Sequence, residues 1–325
     1  MSLAAQIRGM NVPISTAPYL AAIAQYPIDD LADWAAYETK LRRWVDQAAG
    51  QGASLLVFPE YGAMELAALD PVGRSDLLAS LGAVSDLLPR VDALHRELAR
   101  AHGVYILAAS APCRVEGQSA RFVNRARFFA PSGTVSHQDK VMMTRFEAEQ
   151  WGVSPASAID SPLRLFDTAL GRIGITICYD SEFPLIARAL VQAGAQVILA
   201  PSCTDSLHGY WRVRIGAQAR ALENQCFVLQ SPTVGDAPWS PAVDVNRGAA
   251  GLYGPPDAKP AAGADMPADG VLALGREGEA MWLYAPIDLA RVAAWRSDGS
   301  ILTHRDWDAQ PGAGQLPVVE YVDLR

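Results

Sequence analysis

Short apolar runs alternate with stretches of helical periodicity along most of this chain, and that alternation constrains its fold more than any other feature. Residues 20 to 26 (LAAIAQY) read as a strand. From Leu31 to Gln51, the residues Trp34, Tyr37, Leu41, Trp44, Val45 and Ala48 recur at the i, i+3, i+4, i+7 spacing that collects side chains on one helical face. Ser54 to Phe58 (SLLVF) is a second strand, closed by Pro59. A helix from about Ser75 to His102 and a strand over Val104 to Ala109 (VYILAA) complete a βαβαβ opening. Parallel strands of this kind are covered on both faces by their crossover helices, which suits continuous apolar runs such as SLLVF.

The second half has a similar plan. Arg172 to Ile177 (RIGITI), Val197 to Ala200 (VILA) and Cys226 to Gln230 read as strands, and Glu182 to Ala193 and Tyr210 to Asn224 as helices. No repeat of 20 to 50 residues links the halves, so a solenoid is excluded. Residues 121 to 130 (RFVNRARFFA) alternate in polarity before the turn Pro131-Ser132-Gly133, a hairpin signal on an antiparallel part of the sheet. A Pro/Ala-rich loop spans 255 to 268, and a late strand covers Met281 to Ile287. The polar tail from Asp298 to Arg325 reads as an arm laid on another surface. The expectation is one α/β domain, a mixed sheet with helices on its outer faces.

Half of the 325 residues are apolar, enough for a core on both faces of a sheet. Lys plus Arg number 27 against 35 Asp plus Glu, a net charge of −8 without a basic cluster, which argues against nucleic acid as a partner. Four cysteines without a CxxC pair are too sparse for a disulfide scaffold and point to a reducing compartment. Five histidines show no metal-binding spacing, so no metal is expected. No apolar run approaches the ~20 residues that span a bilayer, and Arg8, Asn11 and Pro13 interrupt what a signal peptide would need. A cytoplasmic protein, with no membrane partner, is the expectation.

In open α/β sheets, ligands gather at the carboxyl ends of strands. Glu60 follows SLLVFP, Lys140 follows TVSHQD, and Cys178 follows RIGITI. Taken singly, each has a plain explanation: a cap or solvated turn for the glutamate, a surface charge for the lysine, a small buried hydrophobe for the cysteine. An acid, an ammonium and a thiol converging on one pocket would be an active site. Cys178 precedes a helix expected to open at Ser181, its N-cap, with Pro184 in the first turn, and helix N–H groups would lower the thiol pKa. A Cys–His pair formed by folding stays open.

The segments LLVFPEYG, HQDKVMMTRFE and GITICYDSEFP resemble, in order and spacing, the three signature segments of the nitrilase superfamily of carbon–nitrogen hydrolases. The resemblance runs from about Ala21 to Ile287 and includes ARALEN at 219 to 224; within the family it points to the branch similar to the part found fused to RimI-type acetyltransferases. It implies a four-layer α-β-β-α sandwich in a single domain over residues 1–325, with a C-terminal arm from about 298, pairing into homodimers or higher homo-oligomers. By position it makes Glu60 the general base, Lys140 the electrostatic stabiliser and Cys178 the nucleophile. Glu147 is favoured over Glu149 as the second glutamate.

The activity that the resemblance implies is hydrolysis of a non-peptide carbon–nitrogen bond, by an amidase releasing ammonia from a small carboxamide through a Cys178 thioester, with no cofactor. The Tyr179 N–H would help Lys140 hold the oxyanion. Glu182 stands where the family often has arginine and would repel an anionic substrate group. Trp239, in the loop 237 to 246, is either a pocket wall or plain packing. The alternatives are a nitrilase acting on C≡N and a catalytically silent scaffold of the same fold.

Overall fold

In the computed structural model, which describes residues 17–156, 161–315, 317, 319, 320 and 322, the expected strands and helices appear in order. The reading of the N-terminal segment, residues 1–16, lies outside the described residues. The first half contains β1 (Tyr19–Pro27), α1 (Trp34–Gly50), β2 (Ala53–Val57), α2 (Leu77–His102), β3 (Tyr105–Leu107), β4 (Ala111–Val115), β5 (Gln118–Phe129), β6 (Val135–Asp139) and β7 (Val153–Ser154). The second contains β8 (Phe166–Thr168), β9 (Gly171–Ile175), α3 (Pro184–Gln192), β10 (Val197–Ser202), α4 (Leu207–Asn224) and β11 (Phe227–Asp236). It closes with β12 (Val245–Asn246), β13 (Gly251–Tyr253), β14 (Val271–Leu274), β15 (Met281–Ile287), α5 (Leu289–Asp298) and a helical turn, Thr303–Asp306.

Strand pairing forms two mixed sheets. One runs β4-β5-β3-β2-β1-β15, with β1, β2 and β3 parallel and β6 hydrogen-bonded to β5 as the expected hairpin. The other runs β8-β9-β10-β11-β13-β14, with β9, β10 and β11 parallel. They join where Tyr26 and Pro27 of β1 pair with Thr233 and Val234 of β11.

The two-residue period of the strands decides the layering. Ala21, Ile23, Leu55 and Val57 from one sheet share a core with Ile173, Ile175, Val197, Leu199, Phe227 and Leu229 from the other. The intervening residues point outward. Ala22, Ala24, Leu56 and Phe58 pack with Trp44 and Val45 of α1 and Leu88 and Val91 of α2. On the far side, Ile198, Ala200 and Val228 meet Leu190 and Val191 of α3 and Ala217 and Ala221 of α4. The result is helix, sheet, sheet, helix: the α-β-β-α sandwich expected, with each fully buried Leu or Ile contributing ~1.5–3 kcal/mol of transfer free energy.

One local expectation is corrected. The helix placed from Glu182 starts at Pro184, whose fixed φ suits the first helical position, and Cys178–Glu182 instead forms a tight 3₁₀ turn. Ser181 does not cap that helix, because its hydroxyl donates to the Cys178 carbonyl at 2.6 Å. Early in the tail that begins at about 298, residues 301 to 307 contact the rest of the chain. The Thr303 hydroxyl donates to the Leu222 carbonyl at 2.8 Å, Gln225 Nε2 donates to the Ile301 carbonyl at 2.9 Å, and Arg188 lies over the Trp307 ring. Among the described residues no helix is long and apolar enough to cross a membrane.

Candidate active site

Three strand ends and the connection after β6 converge where the two sheets meet. Glu60 follows β2 by three residues, Lys140 follows β6 directly, and Cys178 opens the 3₁₀ turn after β9. Lys140 Nζ donates to Glu60 Oε1 at 2.7 Å and to Glu147 Oε2 at 2.6 Å, and all three side chains are almost wholly buried. Glu149, the alternative second glutamate, faces solvent and pairs with Arg145 at 2.7 Å. Glu147 is therefore the glutamate that the fold brings to the lysine. The difference arises in the short helical turn over Glu147–Trp151, where positions two apart point to different sides.

Each carboxylate is held by neutral donors as well. Glu60 Oε1 accepts from Asn124 Nδ2 at 2.9 Å, and its Oε2 accepts from the Cys203 backbone N–H at 2.9 Å. Asn124 is itself fixed, because Ser110 Oγ donates to its Oδ1 at 2.6 Å. Glu147 accepts from the Tyr61 hydroxyl at 2.8 Å and from the backbone and hydroxyl of Thr144 at 2.9 and 2.8 Å. Asn124, Tyr61 and Thr144 were not legible in sequence, since each is an ordinary polar residue inside or beside a predicted strand or loop.

The environments push the two glutamates apart. Burial raises the Glu60 pKa above the usual carboxylate range, the Lys140 charge opposes this, and the Glu147 charge adds to it; burial prevails. For Glu147, burial is outweighed by the Lys140 ammonium and by hydrogen bonds from Lys140, Thr144 and Tyr61, so its pKa lies below the ordinary value. Lys140 loses solvation, yet the two carboxylates hold it firmly protonated.

Cys178 sits at φ 49°, in the left-handed region, which turns its side chain sharply out of the strand and into the cavity. Its Sγ lies 3.8 Å from the Cys203 carbonyl oxygen. The expected lowering of this thiol pKa by helix N–H groups is overturned: burial and the Glu60 carboxylate push it well above the usual thiol value. A five-residue turn has too few aligned peptides to offset a nearby negative charge. The charged groups that bear most on the thiol are Glu60 and Lys140, and His208 lines the same cavity. Cys203 lines the same cavity, its thiol pushed up to about 12 by burial and the Glu60 charge.

Asp180 is the residue that ties this turn to the lysine's loop. Its carboxylate accepts from Ile177 N at 3.0 Å, from Val141 N at 3.1 Å and from Met142 N at 2.7 Å. Helix α4 presses the turn from behind: a Cβ at Gly216 would lie 2.9 Å from the Ser181 carbonyl oxygen, so only glycine permits this approach.

A cavity of about 520 Å³ opens above the cluster. Tyr179 lines it, its ring 4.9 Å from that of Phe183, and its N–H is second in the turn, where no carbonyl of the turn lies behind it to accept. Glu182 also lines it, but not as the lone repelling carboxylate expected, because Arg212 Nη2 lies 2.7 Å from its Oε2 at the mouth. Trp239 is not a wall of the cavity. Pro241 to Val245 of its loop face the space, while Trp239 packs against the core beneath α1 and α2. No cluster of metal-ligating side chains occurs among the described residues.

Similarity to known proteins extends over most of the chain. A family model described as carbon-nitrogen hydrolase matches residues 20–297. A Bacillus subtilis (strain 168) protein named probable hydrolase YhcX is 30% identical over 292 residues, covering 90% of this chain and 54% of its own. A deaminated glutathione amidase of Yersinia enterocolitica is 31% identical over 145 residues, 43% of this chain and 51% of its own. The chain thus spans about half the length of these curated relatives. Among solved structures, the C. elegans NitFhit protein superposes with a TM-score of 0.71 at 20% identity, covering 91% of this chain and 67% of that one. An amidase from Nesterenkonia sp. superposes with a TM-score of 0.63 at 20% identity, covering 92% and 99%. At such identities these structures are alike in fold.

Replacing Asp180 by Ala strips the acceptor from three backbone N–H groups, each partly or fully buried. Asp180→Ala is expected to lower the unfolding free energy by about 2–4 kcal/mol, measured by urea denaturation. A change below about 0.5 kcal/mol would show that water replaces the carboxylate at no cost.

Proposed function

The chain belongs to the carbon–nitrogen hydrolase family, and from that premise we propose that it is a thiol-dependent amidase releasing ammonia from a small carboxamide. One observation carries this reading: Cys178, Glu60 and Lys140, from three distant stretches of chain, lie together on the floor of one cavity, with Glu147 behind the lysine. In the reading, the thiol attacks the carboxamide carbon while Glu60 accepts its proton. A resting thiolate is disfavoured here, so proton transfer accompanies attack rather than preceding it. Lys140 and the Tyr179 N–H receive the developing oxyanion. Glu60 then returns the proton to the departing nitrogen, which leaves as ammonia, and a thioester remains on Cys178. Water attacks that carbonyl as Glu60 takes its proton; the C–S bond then breaks, Glu60 returns the proton to the sulfur, and the acid departs with the thiol restored. Glu147 is a positioning residue that keeps the ammonium beneath the reacting oxygen.

The raised pKa of Glu60 serves both directions of transfer, because a carboxyl nearer to working pH is a stronger base and still returns the proton. The Arg212–Glu182 pair offsets the carboxylate at position 182, so Glu182 by itself does not bar substrates bearing a carboxylate. The amidase names among the relatives support the amide over the nitrile. We extend the reading to the branch resembling the part fused to RimI-type acetyltransferases; in its support, the Bacillus relative at 30% identity is a longer chain, of which this one covers 54%. We also place the protein in the cytoplasm, where its four unpaired cysteines would stay reduced.

A homodimer completes the proposal. Leu207, Trp211, Ile215 and Leu222 lie along α4 and Leu185 along α3, all with more than a third of their surface exposed. Such a stripe is an interface in waiting.

Purified protein incubated with panels of small amides and nitriles should release ammonia from an amide, and Cys178→Ala should abolish this. Intact mass of wild-type protein quenched during turnover should show a thioester on Cys178, and Glu60→Gln, lacking the group that moves the proton in both steps, should release no ammonia. Faster turnover of a nitrile than of its amide would favour the nitrilase reading, and silence on every substrate with no Cys178 adduct would favour the inactive scaffold. Glu60 works ionised, so kcat/KM should fall as pH drops through its raised pKa, placing the acid limb above 4.5, the ordinary glutamate value. Glu147→Gln removes a charge that raises Glu60, so the limb should move to lower pH as the rate drops ~10²- to 10³-fold. A limb that stayed fixed in this variant would assign it to another group. Light scattering should give the mass of two chains, and Ile215→Glu should yield one chain; a monomeric wild type would remove the α4 interface.

A further inference from the structure

On the opposite face of β5 from the inter-sheet core lies a second cavity, of about 500 Å³, between α2 and strands β4, β5 and β6. It shares no lining residue with the cavity over Cys178. By the period of the strand, Phe128 and Ala126 face the inter-sheet core, so Arg125 and Arg127 face outward beneath α2, where apolar residues would be expected. Arg96 comes from α2 and Arg114 from β4. Four guanidiniums therefore surround one space in a protein whose net charge is −8.

Arg125 and Arg114 are partnered. Asp139 takes Arg125 in a bidentate pair at 2.6 and 2.9 Å. Arg114 touches Asp86 at 3.2 Å and covers the Phe122 ring. Arg127 is different. Its side chain is 5% exposed, and none of its three guanidinium nitrogens has a hydrogen-bond acceptor. Its Nε lies 2.9 Å from Asp92 Oδ1, but the two are not aligned for a hydrogen bond, and that carboxylate oxygen has no donor either. A buried guanidinium without acceptors is costly, and the planar donor fork matches two oxygens of a carboxylate or phosphate. His137, across the strand pair from Arg127, also lines the space.

We propose that this cavity is a binding site for the oxyanion group, phosphate or carboxylate, of a small molecule, with Arg127 at its floor and Arg96 and Arg114 at its rim. The bound group supplies the acceptors that the buried guanidinium lacks. Asp92 limits the charge that fits, since a large polyanion would meet its carboxylate.

The test is isothermal titration with inorganic phosphate and, separately, with succinate, ionic strength being held constant with sodium chloride. Saturable binding of either, with a matching rise in Tm, is expected. Phosphate alone binding identifies a phosphate-bearing ligand, and succinate alone a carboxylate-bearing one; both outcomes support the site. Arg127→Gln and Arg96→Ala should each weaken binding at least ~10-fold, as expected for loss of charge-assisted hydrogen bonds. Arg212→Ala, at the mouth of the other cavity, should leave it unchanged. If Arg127→Gln does not fold, Arg96→Ala decides. Absence of binding by either anion, or equal affinity in the arginine variants, overturns the proposal, as does loss of binding in Arg212→Ala.

Discussion

A single buried ammonium organises this molecule's chemistry. Lys140 is cut off from water, and two carboxylates at 2.7 and 2.6 Å offset the loss of its hydration. Such a cluster holds only when every remaining lone pair and proton has a partner. Groups from far apart in the chain serve the carboxylates in this way: Asn124 and the Cys203 N–H on Glu60, Tyr61 and Thr144 on Glu147. The sheets, the strand ends and the connecting turns are thereby locked to one another at the site. A glutamate or lysine displaced by one ångström would leave an uncompensated charge in the interior.

The same cluster gives two chemically identical side chains different properties. Glu147 is surrounded by donors, and its pKa lies below the ordinary carboxylate value. Glu60 has fewer donors and a carboxylate neighbour, and burial lifts its pKa. Environment, not residue type, separates the two glutamates. The thiol follows from this arrangement, since the negative charge that would accept its proton also keeps it protonated at rest.

Strand β5 carries these demands on both of its faces. Asn124 reaches Glu60, while Arg125 and Arg127 reach the cavity under α2. The alternation RFVNRARFF, visible as a hairpin signal in the sequence, is thus also a division of labour between two polar sites. An arginine pair on the outer face of a sheet departs from the apolar pattern that α1 and α2 otherwise impose on it.

The sequence by itself determined the layers and pointed to three residues that meet at one cavity. Apolar periodicities of two and 3.6 residues are local, so βαβαβ order, helix faces and both sheet cores followed from them, and Glu60, Lys140 and Cys178 stood out because each follows an apolar strand. Tertiary structure decided the rest. Glu147 and Glu149 differ only in which side of one helical turn they occupy, and nothing local distinguishes them. Asn124, Tyr61 and Asp180 gain their roles from partners 64, 86 and up to 39 positions away. Trp239 turned toward the core although its loop borders the cavity, and the thiol's pKa rose where helix geometry alone suggested a fall. In each case the deciding quantity was burial beside a particular charge, which depends on distances through space that chain order does not contain.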